Sequence, residues 1–240
     1  MYSESKYDIV SLPSEGKFYH NKCEKVKVYH LTLADEEIMT SPNLINSGEM
    51  IDKLLERKVT MVDEHTPFIS PRKMLLGDRL ALLIFLRVSM DNIYRIEVDG
   101  QYTDFDLTTL KLKEINVKPN ENNEFDFLLP KSKRRVTFRL MTGEDEIEIR
   151  MAAMKMPSNV ALNKIIRLER LITSVDGEKD KMMISTFVKQ MNIIDANNLI
   201  KYMSDVTPSF DLEIEVVSPV TGKLKKQSLE LTSEFFFPSI

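Results

Sequence analysis

The spacing of apolar residues changes repeatedly along this chain, and these changes limit its fold more than any other feature. Residues 80–88 are apolar on nearly every face of a helix, as in a helix at the centre of a core. From Tyr94 the spacing becomes two, because Tyr94, Ile96 and Val98 alternate with charged residues. Helix-forming and strand-forming stretches therefore follow one another in blocks, which predicts an α+β fold.

Alternating runs predict several strands. The predicted strands are 7–12, 26–30, 94–98, 125–129, 136–140, 212–216 and 227–231. The three runs between residues 94 and 140 are joined by polar turns and predict one small antiparallel sheet. The last two runs predict a hairpin that turns at Ser218-Pro219-Val220-Thr221-Gly222.

Helical spacing predicts the remaining elements. The predicted helices are 33–40, a helix that begins at residue 49, a stretch from Ser70-Pro71 to Val88, 142–156, 159–175, 181–190 and 193–204. Helical segments then alternate with small antiparallel hairpins or sheets in two loosely similar halves. Residues 1–141 form the predicted N-terminal α+β half, with a strand, helices and the small sheet. Residues 142–240 supply helices, a hairpin and an aromatic tail.

Charge argues against nucleic acid as a partner. The chain has 33 Lys+Arg and 37 Asp+Glu, a formal net charge of -4 and a pI of about 5.6, whereas nucleic-acid-binding domains usually carry a basic excess. One local basic cluster consists of Lys131, Lys133, Arg134 and Arg135. Because it lies between two predicted strands, it is interpreted as a solvated hairpin loop and not as a phosphate site.

The single cysteine limits both covalent and metal chemistry. Cys23 can form neither an intrachain disulfide nor a cysteine-based zinc cluster, and a chain of this size without disulfides suits a reducing, intracellular compartment. His20, His30 and His65 lie in separate segments, so no metal or other cofactor is predicted. The longest apolar stretch, residues 80–86, is too short for a membrane span, which needs about 20 residues. A soluble protein is expected.

No catalytic constellation is recognised. The sequence lacks the GxGxxG, P-loop and GxSxG spacings. Cys23 beside His20 or His30 could act as a nucleophile, but an isolated cysteine is more often inert. The acidic runs 35–37 and 144–146 stand at predicted helix starts, where the helix dipole favours negative charge. The chain is therefore predicted to have no catalytic residues and not to be an enzyme.

Two features indicate protein contacts. The chain has 14 methionines, clustered at Met151, Met154 and Met156 and at Met182, Met183 and Met191. Methionine suits adaptable interfaces, although core filling is the favoured interpretation here. Near the C-terminus, Phe235, Phe236 and Phe237 form a possible partner interface. Docking of these rings onto the chain itself is an equal alternative.

The apolar helix carries arginines at both ends. Arg79 and Arg87 should reach the rim of the core, because a buried guanidinium needs a carboxylate or carbonyl partner. Candidate partners are Asp35, Glu36 and Asp52. Leu83, in the middle of this helix, is predicted to be a core residue.

Several motifs follow one another in a familiar order. They are Val10-Ser11-Leu12-Pro13-Ser14-Glu15-Gly16-Lys17-Phe18-Tyr19, Leu33-Ala34-Asp35-Glu36-Glu37-Ile38, Ser41-Pro42-Asn43-Leu44-Ile45, Ile51-Asp52-Lys53-Leu54-Leu55, Leu76-Gly77-Asp78-Arg79 and Phe235-Phe236-Phe237-Pro238. With these motifs the chain resembles, over nearly its whole length, the baseplate protein family of T4-like contractile-tailed phages. That family serves the central baseplate hub or its assembly.

The resemblance implies a structural or assembly component of the baseplate hub that contacts other hub and tail proteins. It would occur in the host cytoplasm during assembly and, if it is retained, in the virion. Many family members carry Cys-x-x-Cys knuckles in their hairpins, where this chain has Asp99-Gly100-Gln101-Tyr102 and Ser218-Pro219-Val220-Thr221. The hairpins should then be held by packing alone, without zinc. A small tail-associated hydrolase with an unrecognised site and a nucleic-acid-binding adaptor are the alternatives.

Overall fold

The chain forms two compact units. The computed structural model describes residues 6–63, 67–154, 160–229 and 235, without the side chains of residues 153 and 160. Unit 1 combines the described residues of Met1–Pro71, Gly77–Lys113 and Pro208–Ile240, and unit 2 those of Arg72–Leu76 and Glu114–Thr207. The predicted division after residue 141 does not coincide with these units, because the stretch from Pro208 onward belongs with the N-terminal elements.

Helices and small antiparallel sheets give the described part of the chain an α+β fold, as predicted. The strands are β1 (Tyr7–Ser11), β2 (Lys25–Tyr29), β3 (Val59–Met61), β4 (Ile93–Val98), β5 (Gln101–Asp106), β6 (Glu124–Leu128), β7 (Arg135–Arg139), β8 (Ile172–Val175), β9 (Glu213–Val217) and β10 (Leu224–Ser228). The helices are α1 (Leu33–Met39), α2 (Pro42–Ser47), α3 (Met50–Lys58), α4 (Leu76–Val88), α5 (Gly143–Met154), α6 (Val160–Leu171), α7 (Lys181–Gln190) and α8 (Ile193–Asp205).

Unit 1 contains one three-stranded sheet and two hairpins. The sheet has the order β1-β2-β3, and all of its pairings are antiparallel. Val26 and Val28 on β2 are fully buried, as expected for alternate residues of a central strand. The hairpins are β4 with β5 and β9 with β10.

Helix α4 fills the core of unit 1. Leu82 and Leu86 are both 0% exposed. Leu83 is only half-buried, so its prediction as a core residue was wrong. The adjacent Leu82 occupies the core instead. Gly77 has a packing reason, because a Cβ at this position would lie 1.7 Å from the carbonyl oxygen of Pro208. Only glycine allows this close approach of helix and chain.

Unit 2 contains the sheet β6-β7-β8 and the helices α5 to α8. Both strand pairings are antiparallel. Its core includes Phe125, Val136 and Phe138, each 2% exposed or less. The ring of Phe127 stacks on that of Tyr202 from α8, with 4.7 Å between the ring centroids. Helix α7 has the predicted bounds, and the Asp180 carboxylate caps it by accepting a hydrogen bond from Met183 N at 2.9 Å.

Three predicted elements need correction. The runs from residue 94 to residue 140 divide between two sheets, because β4 pairs with β5 and not with β6. The helix predicted over 159–175 ends at Leu171, where the chain becomes strand β8 and pairs with β7. The last strand in the described part of the chain, Leu224–Ser228, begins three residues before the predicted strand 227–231, of which residues 230 and 231 lie outside the described ranges.

Candidate interaction surfaces

Asp78 joins two of the motifs that carry the family resemblance. Its carboxylate is fully buried and accepts hydrogen bonds from Ser14 N at 2.9 Å, from Ser14 Oγ at 2.6 Å and from the Tyr19 hydroxyl. Burial raises the pKa of Asp78, and this effect exceeds the opposing effect of the hydrogen bonds from Ser14 and Tyr19. The cluster fixes the segment that contains Ser14 and Tyr19 against the start of α4.

Arg79 joins two further segments of unit 1. Its Nη2 lies 2.7 Å from Asp52 Oδ1, and its Nη1 donates to the carbonyl oxygen of Pro71 at 2.9 Å. Asp52 is one of the partners predicted from the sequence, so that prediction is confirmed. Both side chains of the ion pair are at least 95% buried. Removal of either partner would leave a buried charge without compensation.

Arg87 is held mainly by backbone carbonyl groups. Its Nε donates to the carbonyl oxygen of Phe235 and its Nη2 to that of Ile93, each at 2.7 Å, and its Nη1 donates to the carbonyl oxygen of Asp91. The Asp91 carboxylate is 3.8 Å from Nη2. With 1% of its side chain exposed, Arg87 lies inside the core and not at its rim, contrary to the prediction.

Phe235 belongs to the core of unit 1. Its side chain is 2% exposed, and its ring packs edge-on against Tyr94 with 5.3 Å between centroids. Of the two alternatives for the aromatic tail, docking onto the chain itself applies to this residue, so Phe235 is not an exposed anchor for a partner. Phe236 and Phe237 lie outside the described residues.

The acidic runs at the helix starts contain buried capping groups. Asp35 is fully buried, accepts from Thr32 N at 2.7 Å and pairs with Arg57 and Lys58. Burial alone would raise the pKa of Asp35, but the hydrogen bonds from Lys58 and Thr32 outweigh it and the pKa is lowered. These contacts account for the carboxylate as part of the fold.

Asp145 has the same capping role in unit 2. It accepts from Thr142 N at 3.0 Å and from the guanidinium groups of Arg139 at 2.6 and 2.7 Å and Arg170 at 2.8 Å. Burial opposes ionisation, yet the arginines and the backbone N–H lower the pKa of Asp145 far below its ordinary value. An anionic carboxylate held by two guanidinium groups is suited to cross-linking α5, α6 and β7, not to proton transfer at neutral pH.

Cys23 lies in a protected environment. It is 4% exposed, and its Sγ is 3.3 Å from the carbonyl oxygen of Lys25. Burial raises the pKa of the thiol, which disfavours the nucleophilic thiolate. His30 contacts the Asp8 carboxylate at 2.6 Å and the ring of Phe85, while His65 lies outside the described residues.

The two turns that match the knuckle positions of the resembling family lie against each other. The Ser218 hydroxyl donates to Asp99 Oδ2 at 2.6 Å, and the Lys225 ammonium pairs with Asp99 Oδ1. The hydrogen bonds from Lys225 and Ser218 lower the pKa of Asp99. The prediction that packing alone holds these hairpins was therefore wrong, because a carboxylate, a hydroxyl and an ammonium group connect them.

The methionine clusters of unit 2 reach the surface. Met151 is 59% exposed, Met154 49%, Met182 80% and Met183 62%. Core filling, the favoured interpretation, is wrong for these four side chains. Met191 is half-buried, and Met156 lies outside the described residues. The exposed methionines on α5 and α7 fit the alternative interpretation, an adaptable surface for a partner.

Two exposed isoleucines of unit 2 were not singled out from the sequence. Ile193 and Ile194, at the start of α8, are 75% and 48% exposed. In the sequence they look like the first apolar positions of an amphipathic helix. Lys131, Lys133 and Arg134 of the basic cluster lie in the hairpin loop between β6 and β7, as predicted, and Arg135 is the first residue of β7.

Among residues 6–63, 67–154, 160–229 and 235, no helix has the length and apolar character needed to cross a membrane. Across the same residues, no group of three or more His, Cys, Asp or Glu side chains could hold a metal ion. Comparison with protein-family models, with curated proteins and with solved structures gives no match to this chain.

Proposed function

We propose that this chain is a structural or assembly component of the central baseplate hub of a contractile-tailed bacteriophage and acts through protein–protein contacts. Other hub and tail proteins would be its partners, in the host cytoplasm during assembly and, if the chain is retained, in the virion. The proposal rests on the resemblance of its motifs to the baseplate family and on the way these motifs are used in the fold.

The observation that carries the proposal is that separate motifs contact one another around α4. Asp78 accepts from Ser14, Arg79 pairs with Asp52, and Arg87 binds the carbonyl group of Phe235. Each of these contacts joins two of the motif segments on which the resemblance rests, or joins one of them to α4. Contacts of this kind specify a fold and not a reaction, which supports a structural role.

The hydrogen bonding of the buried polar groups supports the same role. The buried carboxylates Asp35, Asp78 and Asp145 are occupied by hydrogen bonds within the fold, and the thiol of Cys23 is buried. Large apolar side chains are instead exposed on α5, α7 and α8. A protein that works by docking needs such apolar surface.

Genetic removal followed by complementation tests the proposal. A contractile-tailed phage that lacks its own hub gene product should assemble baseplates only when this chain is supplied. Completed baseplates are counted by electron microscopy. Normal baseplates in its absence would contradict the proposal. Mass spectrometry of purified particles then decides whether the protein remains in the virion or leaves after assembly.

A further inference from the structure

The basic hairpin loop of unit 2 is held in one shape by two aspartates. Asp195 is fully buried, and its carboxylate accepts from the backbone N–H groups of Lys131 at 2.7 Å and Ser132 at 2.9 Å. Asp176 Oδ1 accepts from Arg135 N at 2.7 Å. Within the loop, Leu129 N donates to Arg134 O at 2.9 Å. Both ends of the loop are thus fixed to neighbouring elements.

The cationic side chains of this loop point outward, since all four are exposed. Arg134 is engaged, because it pairs with Asp176 and lies over the ring of Phe187 at 5.4 Å from the centroid. Lys131, Lys133 and Arg135 form no ion pair with any described carboxylate. The nearby aspartates bind the loop backbone, and Lys131 also interacts electrostatically with Asp195, as Arg135 does with Asp176. The four cations outnumber these two carboxylates, so the loop carries a net positive charge on a rigid frame.

Apolar side chains border these charges. Asp195, which holds the loop, directly follows Ile193 and Ile194, whose exposed fractions are 75% and 48%. We name Lys131, Lys133, Arg135, Ile193 and Ile194 together the basic-apolar surface.

We propose that the basic-apolar surface docks an acidic, amphipathic segment of a partner protein. Its exposed cations attract anions, and its exposed aliphatic groups fit an apolar face, so a single occupant should offer both. Nucleic acid fits less well, because a phosphate backbone leaves the aliphatic groups uncovered and the whole chain carries a net charge of -4. A frame fixed before binding lowers the entropic cost of docking.

This inference deepens the proposed function, since it specifies the chemistry of one hub partner and rests on a role in protein contacts. Its test uses the full chain in solution and needs no phage particle. A peptide can therefore bind although the chain is no hub component, and baseplates can depend on the chain although the peptide does not bind.

The test measures binding of a defined probe to the full chain. The probe is a fluorescein-labelled peptide of about 18 residues, long enough to form a helix, with glutamates on one face and leucines on the other. Fluorescence anisotropy should show saturable binding that weakens with added salt. A peptide with lysine in place of every glutamate should not bind.

Two variants separate the charged from the apolar part of the surface. Charge reversal by Lys131→Glu, Lys133→Glu and Arg135→Glu should weaken binding about tenfold or more. Ile193→Ser with Ile194→Ser should weaken it by a similar factor with the charge unchanged. The matched control reverses three exposed lysines elsewhere in unit 2, Lys73, Lys118 and Lys201, and should change affinity less than about twofold.

Four results would overturn the inference. The first is no saturable binding of the acidic peptide up to about millimolar concentration. The second is equal loss of affinity in the surface variant and the matched control. The third is tighter binding of an oligonucleotide that the surface variant abolishes, which would assign the surface to nucleic acid. The last is self-association of the wild type, measured by sedimentation, that the surface variant abolishes.

Discussion

The two units use their arginines in opposite ways. In unit 1, Arg79 and Arg87 are buried, and their partners include Asp52, 27 residues from Arg79, and Phe235, 148 residues from Arg87. In unit 2, Arg139 and Arg170 are about one-third exposed and surround a buried aspartate, Asp145, which lies 6 and 25 residues away from them. The arginines that hold these clusters are therefore buried in unit 1 and partly exposed in unit 2.

This difference suggests a division of labour. A unit whose buried arginines bind carboxylate and carbonyl groups of separate segments forms a framework whose parts depend on one another. Unit 2 places exposed cations beside exposed isoleucines, which is suited to partner contact. Substitutions in the framework should mainly lower stability, and substitutions on the basic-apolar surface should mainly lower binding.

The largest loss of stability is expected for Arg79→Met. The change leaves the buried Asp52 carboxylate without its cation, which typically costs about 3–5 kcal/mol. Chemical denaturation of the purified chain measures the free energy of unfolding. The double variant Arg79→Met with Asp52→Leu removes both charges and should recover a large part of the loss. If the losses of unfolding free energy caused by Arg79→Met and by Asp52→Leu simply added in the double variant, the two side chains would not be energetically coupled.

The next-largest loss of stability is expected for Leu82→Ala. Lost contacts and the resulting cavity should lower the free energy of unfolding by about 2–5 kcal/mol. Leu82 is 0% exposed, whereas its neighbour Leu83 is half-buried and should cost clearly less when truncated to alanine. Thermal melts of the two variants compare adjacent positions on one helix. A larger effect at Leu83 would show that α4 presents a different face to the core.

The pH dependence of stability should differ in sign between Asp145 and Asp78. The pKa of Asp145 is lowered by the arginines, so its stabilisation is complete above the ordinary value of 3.8 and is lost as pH falls through the folded-state pKa. The pKa of Asp78 is raised by burial. As pH falls through this raised value, Asp78 takes up a proton first in the folded state, and stability rises.

Asparagine variants reveal these contributions one at a time. Asp145→Asn should cost about 1–3 kcal/mol at neutral pH, and the deficit should shrink in acid as the wild type loses the same charge. Relative to wild type, Asp78→Asn should be most favourable at neutral pH and lose that advantage as pH falls. Denaturant titrations at several pH values provide the comparison, and parallel pH profiles for the two variants would refute it.

A smaller effect is expected at the two facing hairpin turns of unit 1. Ser218→Ala removes the hydroxyl that joins Asp99 and should cost about 1 kcal/mol. Since the described clamp consists of Asp99, Ser218 and Lys225, a chelator such as EDTA should leave the melting temperature unchanged. A chelator-dependent melt, or zinc in stoichiometric amount by elemental analysis, would reveal a metal site.

The smallest effect on stability belongs to the basic-apolar surface. Charge reversal at Lys131, Lys133 and Arg135 should change the free energy of unfolding by no more than about 0.5 kcal/mol per position, because these side chains are exposed. Thermal melts check this expectation. A collapse of stability would place these residues in the framework and remove the contrast between the units.

Local sequence signals predicted a large part of the fold. Helix α7 was predicted with its observed bounds, and strands β4, β6, β7 and β9 lie within one residue of their predicted positions, because amphipathic spacing and turn residues are local properties. Strand β8 was missed because its apolar residues continue the pattern of α6, and only pairing with β7 makes it a strand. Strand β3 has three residues, too few for a periodic signal.

The contacts between distant segments were harder to predict. Asp52 was one of three acids expected to pair with Arg79 or Arg87, since a buried guanidinium needs a nearby acid, and it pairs with Arg79. The burial of Phe235 depends on Arg87 and Tyr94, and one sequence holds no local sign of that contact. The exposure of Met182 and Met183 was likewise undetermined, because the same spacing occurs on buried and exposed faces of a helix.

The most direct test of the division of labour is complementation of baseplate assembly by the charge-reversed chain, with Lys131, Lys133 and Arg135 changed to Glu. The thermal melt of the purified variant serves as its control for folding. The account predicts a melt like that of wild type and a marked fall in completed baseplates, while reversal of Lys73, Lys118 and Lys201 leaves the yield unchanged. Wild-type yields from the Lys131, Lys133 and Arg135 variant would contradict it.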